Sequence, residues 1–207
     1  MRRRKRSQRA LGRRSWQYSW TCLRLAVFFL PILLAAQQRA AAADVPEPDS
    51  YWMGPMQGDV PATLAHGQVI RTRALAELMA RQALVMIDVA ERPHRPEGLA
   101  ADTVWKPASH RDIAGSIWFP GVGRGALEPA VELFFKTRLA ALTKGDFDKP
   151  VVVYCHAHCW GSWNAAKRAI SFGYRNIYWY PEGVEGWQED GHELAIASDE
   201  GPVQASQ

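Results

Sequence analysis

Residues 151–168 read Val151-Val-Val-Tyr-Cys155-His-Ala-His-Cys159-Trp-Gly-Ser-Trp-Asn-Ala-Ala-Lys-Arg168. The first five residues form a short, unbroken apolar run rich in β-branched side chains, the pattern of a strand buried on both faces. From Ser162 the pattern turns helical and runs to Phe172, where Gly173 stops it. Between strand and helix lies the loop His156-Ala157-His158-Cys159-Trp160-Gly161. In open α/β sheets, ligands gather at the carboxyl ends of strands, beside helix N-termini. A thiol at Cys155 in that place faces unpaired backbone N–H groups and the positive end of a helix dipole, which favours the nucleophilic thiolate and would equally steady a persulfide anion. The plain alternative is a buried strand-end cysteine without chemistry. The second cysteine and two histidines in the same loop favour chemistry.

Working outward, strands and helices alternate. Thr72 can cap a helix to about Gln82, with Leu75, Leu78 and Met79 on one stripe. Leu84-Val-Met-Ile-Asp-Val89 is a second buried strand, and Ile117-Trp-Phe119 a third, ended by Pro120. The stretch 90–110, with Pro93, Pro96 and Pro107, reads as a long loop. Leu127 to about Thr143 is an amphipathic helix that tolerates Pro129 in its first turn. Ile177-Tyr-Trp-Tyr180 is a last strand and Val184–Asp190 a short last helix. This order predicts one α/β domain: a mostly parallel central sheet with helices on both faces.

The chain has 207 residues, with 25 Lys and Arg against 21 Asp and Glu. Ten of the basic residues, and none of the acids, fall within residues 1–43, so positions 44–207 carry 15 basic and 21 acidic side chains, a net of −6. An acidic body does not attract phosphates, which argues against nucleic-acid binding. A hydrophobic content of 47% and seven tryptophans beyond position 43 exclude disorder. Residues 1–43 read as a cleaved export signal: a basic n-region, the apolar stretch Leu25–Ala36 broken by Pro31, and an A-x-A site at Ala41-Ala42-Ala43. The apolar stretch is short for a membrane span. Arg13-Arg14 leaves Sec and Tat export both open. The expected plan is a signal peptide at 1–43, a lead-in at 44–65, the α/β domain at 66–195 and a tail at 196–207, in a periplasmic or otherwise exported protein with no stable membrane span after processing.

Once the leader with Cys22 is removed, only Cys155 and Cys159 remain, in an oxidising compartment. A loop that small staples no scaffold. Residues four apart in a curled loop can meet the Cα separation of roughly 4.4–6.8 Å that a disulfide needs. On this reading Cys155 attacks, Cys159 resolves and is the more ordinary thiol, and His156 and His158 raise the local positive charge or shuttle protons. The two thiols and two imidazoles also offer a metal set for Zn or Cu(I), although four ligands within five residues close a tetrahedron with difficulty. Covalent haem is excluded because Trp160 stands where Cys-x-x-Cys-His needs histidine. Trp118, Trp179 and Trp187 suit the core or sheet ends. Trp160 and Trp163 are expected to roof the pocket or face a redox partner, with Gly161 and Ser162 completing the rim. Asp88, at the end of its own strand, points to the same rim, capping local N–H groups or taking part in catalysis.

The chain resembles the rhodanese-like family. The carrying residues are Ile87-Asp88-Val89, the segment His110-Arg-Asp-Ile-Ala-Gly-Ser-Ile-Trp-Phe-Pro120, the cysteine strand Val152–Cys155, and the close Tyr180-Pro-Glu-Gly-Val-Glu-Gly-Trp187. More narrowly, Cys-x3-Cys-Trp-x-Ser-Trp-Asn-Ala-Ala-Lys-Arg is similar to an exported branch, the PQQ-dependent-catabolism-associated CXXCW motif proteins, with three residues rather than two between the cysteines. The resemblance implies a sulfurtransferase-type pocket with Cys155 as nucleophile, supporting quinoprotein alcohol oxidation. It implies no bound cofactor beyond a persulfide or disulfide on Cys155, with PQQ associated by pathway only. The implied partners are a quinoprotein dehydrogenase or c-type cytochrome, and a small thiol or sulfur donor. The family's loop arginine, five or six residues after the cysteine, is replaced by Trp160 and Gly161, and Arg168 lies well into the helix. Losing that bidentate cation weakens thiosulfate or phosphate-ester chemistry and leaves thiol redox chemistry untouched. Three readings follow: a thiol oxidoreductase or sulfurtransferase, a non-catalytic accessory with a small structural disulfide, or a metal carrier.

Overall fold

A computed structural model describes residues 45–202. The leader at 1–43 therefore lies outside the described residues, as does the end of the tail. Seven strands and four helices occur in the order β1 (Gln68–Val69), α1 (Thr72–Arg81), β2 (Val85–Asp88), β3 (Arg111–Ile113), β4 (Ile117–Trp118), α2 (Pro129–Thr143), β5 (Val151–Tyr154), α3 (Trp160–Ser171), β6 (Ile177–Tyr180), α4 (Gly183–Glu189) and β7 (Leu194–Ile196). Five strands form a parallel sheet in the order β1-β6-β5-β2-β4, while β3 and β7 make a separate antiparallel pair. The α/β architecture expected from the alternation is the one observed.

The alternation of side chains along the strands builds two cores. Val85, Ile87, Val151, Val153, Ile177 and Trp179 face α2 and α3, where they meet Phe135, Leu139, Trp163 and Ala166. Met86, Val152, Tyr154 and Tyr180 face the other way, onto Leu75 of α1 and Val184 and Trp187 of α4. All four residues of β2 and of β5 are buried, as expected of strands covered on both sides. The register aligns Asp88, Tyr154 and Tyr180 across three neighbouring strands, with Trp118 paired to Asp88 on β4. Their carboxyl ends thus open together, and Cys155 follows in the middle of that edge.

Three local expectations change. Thr72 is the first helical residue rather than the cap: its hydroxyl donates to Glu182 (2.6 Å) and meets the Tyr180 hydroxyl (2.7 Å), tying α1 to the β6–α4 turn. β1 and the β3–β7 pair, strands of two or three residues, are too short to show a periodic pattern in the sequence. The helix after Cys155 begins at Trp160, two residues before Ser162, because Trp160 is buried and takes part in the core.

The lead-in is ordered and lies over α3. Trp52 stacks on Trp160 with ring centroids 4.3 Å apart and an interplanar angle of 11°. Asn164, fully buried in α3, accepts the Trp52 N–H (2.8 Å) and donates to the Trp52 carbonyl (3.1 Å). Lys167 Nζ donates to the carbonyls of Pro48 and Asp49. The start of the tail is held too: Arg92 grips Asp199 bidentately at 2.6 and 2.7 Å, and Arg138 pairs with Glu200.

Candidate functional site

Cys155 leaves β5 into a loop held from both sides. From the lead-in, the Gly58 N–H donates to the His158 carbonyl (3.0 Å) and the Trp160 N–H to the Met56 carbonyl (2.8 Å), so that Gln57 bridges Cys159 in antiparallel fashion. From α4, the Val184 N–H donates to the Cys155 carbonyl (3.0 Å). Gly183 permits that approach: its φ is +60°, and a Cβ there would lie 2.4–2.6 Å from the backbone of Cys155, His156 and Ala157. His158 turns the loop at φ 55°, a left-handed conformation rare for a residue with a side chain.

The structure reverses the expected properties of the two thiols. Cys155 is fully buried, and that burial, with Cys159 beside it, pushes its thiol well above the ordinary range. Cys159 is only partly buried and is the N-cap residue of α3. The neighbouring Cys155 thiol, which donates to the Cys159 carbonyl (3.9 Å), favours its thiolate most, followed by the Gly161 and Ser162 N–H groups of the helix start and the charge of His156. Together these outweigh burial and bring its pKa down to about 7. Because the helix starts two residues earlier than the periodicity suggests, its free N–H groups serve Cys159 rather than Cys155. Cys155 and Cys159 are both free thiols.

The remaining residues of the loop divide by role. The His156 ring nitrogen Nδ1 bonds to Glu185 (2.7 Å), and the Ala157 N–H donates to the same carboxylate (2.8 Å). Burial opposes that charge, yet the Ala157 N–H and His156 hold the Glu185 carboxyl below its usual range. Ser162 is fully buried, accepting from Trp179 Nε1 (3.0 Å) and donating to the Cys159 carbonyl (3.1 Å). Gly161 passes close under the thiol, since a Cβ would sit 3.4 Å from Cys159 Sγ. Trp160 and Trp163 are core residues with ring centroids 5.5 Å apart, and neither presents a face to a partner. Among the described residues, no group of three or more His, Cys, Asp or Glu side chains is placed to hold a metal ion, and His156 bonds to Glu185.

Asp88 is brought into a different cluster. One carboxylate oxygen accepts the Ala90 N–H (2.8 Å), the capping role expected of it, and the other bonds to His110 Nε2 (2.7 Å), whose ring stacks on Trp118. Asp112 shares this buried region; burial first, then the nearby Asp88 charge, raises its pKa to about 6. Tyr154 beneath them accepts the Ile113 N–H (2.9 Å) and donates to Ser116 (2.6 Å). Sequence reasoning assigned no role to Glu185, Met56, Gln57 or Asp112. Glu185 had one available signal, an acid in the first turn of the helix that follows the last parallel strand.

An open cavity of about 670 Å³ borders the loop at Ala157 and His158. Glu182, Glu185, Glu189 and Asp190 supply four acids to its lining, against Arg71, which pairs with Glu182 at 3.4 Å. Arg168 does not reach this side. It is buried under the Val122–Gly125 turn, donating to the carbonyls of Val122, Arg124 and Gly125.

A parallel sheet whose central strand ends in a paired-thiol loop capped by a helix defines an α/β protein with a cysteine site. Residues 72–190 match the family model of the rhodanese-like domain, and the chain belongs to the rhodanese-like family. Its fold is the rhodanese fold. Solved structures similar to it include a 3-mercaptopyruvate sulfotransferase from Escherichia coli (19% identity, TM-score 0.42, covering 66% of this chain and 54% of that one). Others are an uncharacterized protein from Saccharomyces cerevisiae (24%, 0.37, 60% and 92%) and a polysulfide-sulfur transferase homodimer from Wolinella succinogenes (21%, 0.38, 66% and 83%). The chain thus spans about half the length of the Escherichia coli protein.

Proposed function

We propose that this is an exported rhodanese-like thiol protein that performs thiol–disulfide exchange or sulfur transfer with Cys159 as the attacking thiolate and Cys155 as the buried resolving thiol. The observation that carries this is the place of Cys159, the partly exposed N-cap residue of α3, with the buried Cys155 thiol donating to its carbonyl (3.9 Å); that setting brings the Cys159 pKa down to about 7. A thiol whose pKa lies near ambient pH combines a large thiolate fraction with good nucleophilicity. With a disulfide R–S–S–R, the Cys159 thiolate forms a mixed disulfide and releases R–S⁻. Cys155 then yields its proton to the released R–S⁻, attacks Cys159 Sγ and releases the second R–S⁻. The protein pair loses two electrons and the substrate gains them. With a persulfide R–S–SH, the outer sulfur passes to Cys159, and R–S⁻ leaves with no net oxidation.

The setting we propose is PQQ-dependent alcohol oxidation in the periplasm, with a quinoprotein dehydrogenase or c-type cytochrome as partner. The support is the likeness of the Cys-x3-Cys-Trp loop to the quinoprotein-associated branch, and the one-sided charge and apolar run of residues 1–43. A second reading, a non-catalytic accessory, is favoured by one observation: the lead-in and α4 both cover the loop, leaving Cys155 without exposure.

The discriminating experiment mixes the reduced Cys155→Ser variant with a small disulfide at pH 7 and reads intact mass. The catalytic reading expects a stable mixed disulfide on Cys159, whereas wild type passes through it to the internal disulfide. Absence of any adduct within hours, in a folded variant, would leave the accessory reading.

A further inference from the structure

Resting on that reading, we propose that Glu185 is a specificity-determining residue: its carboxylate sits on the donors of the cysteine loop, as a resident anion, and turns the site against negatively charged sulfur compounds in favour of neutral or cationic disulfides and persulfides.

The loop's outward donors are few. The Ala157 N–H and His156 Nδ1 both meet Glu185, at 2.8 and 2.7 Å. Backbone N–H groups gathered in a turn make a natural anion cradle, and here an acid of the protein itself occupies it. Gly183 lets α4 pack against the loop, which brings Glu185, in the first turn of that helix, within hydrogen-bond distance of these donors. The nearby cavity deepens the effect. Glu182, Glu189 and Asp190 add to its negative lining, Arg71 is already paired with Glu182, and Arg168 is committed to carbonyls on the far side of α3. An incoming thiosulfate or α-keto acid thiol would meet the field of these acids, while the basic side chains described there, Arg71 and His156, are already paired with Glu182 and Glu185. A disulfide bearing ammonium groups would be attracted, and a neutral one would be indifferent. The chemistry remains the exchange given above; Glu185 sets which R groups reach it.

The test uses three disulfides of similar length and differing charge: cystamine (cationic), 2-hydroxyethyl disulfide (neutral) and dithiodiglycolate (anionic). The rate of oxidation of the reduced mature protein is followed by tryptophan fluorescence or intact mass. The wild type is expected to react with the cation faster than with the anion, by roughly tenfold or more at low salt, with the ratio narrowing as salt screens the field. Glu185→Gln should collapse the ratio by raising the anion's relative rate. Equal rates for all three compounds in the wild type, a ratio unaffected by salt, or an unchanged ratio in a folded Glu185→Gln variant would overturn the proposal. Should that variant fail to fold, Glu185→Ala is read by the same ratio, because salt dependence by itself does not separate Glu185 from the other acids of the lining. No reaction with any of the three would instead remove the underlying thiol-exchange reading, so the two failures are distinguishable.

Discussion

The buried thiol of Cys155 donates to the backbone carbonyl of Cys159 (3.9 Å), the residue that caps the start of α3, and its presence there is the largest influence lowering the pKa of the Cys159 thiol. One thiol is held protonated so that the other can lose its proton. Replacing Cys155 by Ala removes the largest single cause of the Cys159 depression. Its titration, read as thiolate absorbance near 240 nm, should shift from about 7 back toward the ordinary cysteine range. A midpoint unmoved from the wild type would place the whole effect on the helix N-terminus.

The lead-in owes its position to Trp52, half-buried and stacked on Trp160. Trp52→Ala should cost stability near the lower end of the ~3–5 kcal/mol typical of such truncations, because part of the ring already faces solvent. It should also loosen the Met56–Gly58 contacts with the loop and speed alkylation of Cys155 under native conditions. Unchanged protection of Cys155 would mean that the lead-in does not seal the site.

Asp112 is buried beside Asp88, and Asp112 Oδ2 has no hydrogen-bond partner. Its folded pKa of about 6 lies above its unfolded value, so the protonated form favours folding. That contribution is complete below about pH 4 and is lost as pH rises through 6. Asp112→Asn should therefore raise Tm relative to wild type by an amount that grows between pH 4 and 6 and then levels off. A difference independent of pH would refute this account.

The replacement of the loop arginine by Trp160 and Gly161 bears on the classical rhodanese assay. A hydrogen bond to a charged oxyanion is worth about 1.5–3 kcal/mol, roughly a ten- to hundredfold in rate when made in the transition state. Thiosulfate:cyanide sulfur transfer should accordingly be weak, and Arg168→Lys should alter stability without altering it further. Turnover equal to that of a rhodanese carrying the loop arginine would show that another group binds the anion.

The proposed export has its own check. Protein recovered from the periplasm should have an intact mass beginning near Asp44, whereas a cytoplasmic product retaining Met1 would contradict it.

Much of the fold was legible in sequence because its strands are covered on both faces. Val85–Asp88, Val151–Tyr154 and Ile177–Tyr180 are continuous apolar runs that match the observed elements almost residue for residue. The antiparallel pair β3–β7 was not legible, since its register is set by tertiary contacts such as Arg111 with the Leu194 carbonyl rather than by periodicity. At the site, the cysteine loop and its place at the sheet edge could be read directly. The roles of the two thiols could not, because they turn on where α3 begins. Trp160 looks like a loop aromatic in sequence and proves to be a core residue that starts the helix, moving the free N–H groups to Cys159. Glu185 was hidden for a related reason: it reaches the loop across the sheet edge, from a sequence distance of 28 residues to Ala157.

The most direct measurement is competitive alkylation of the folded, reduced protein across pH 5–10, with each cysteine quantified by peptide mass spectrometry. The account predicts that Cys159 is labelled first, with a rate midpoint near 7, while Cys155 stays slow until the protein opens. Labelling of Cys155 ahead of Cys159 at neutral pH, or equal slow labelling of both, would contradict it.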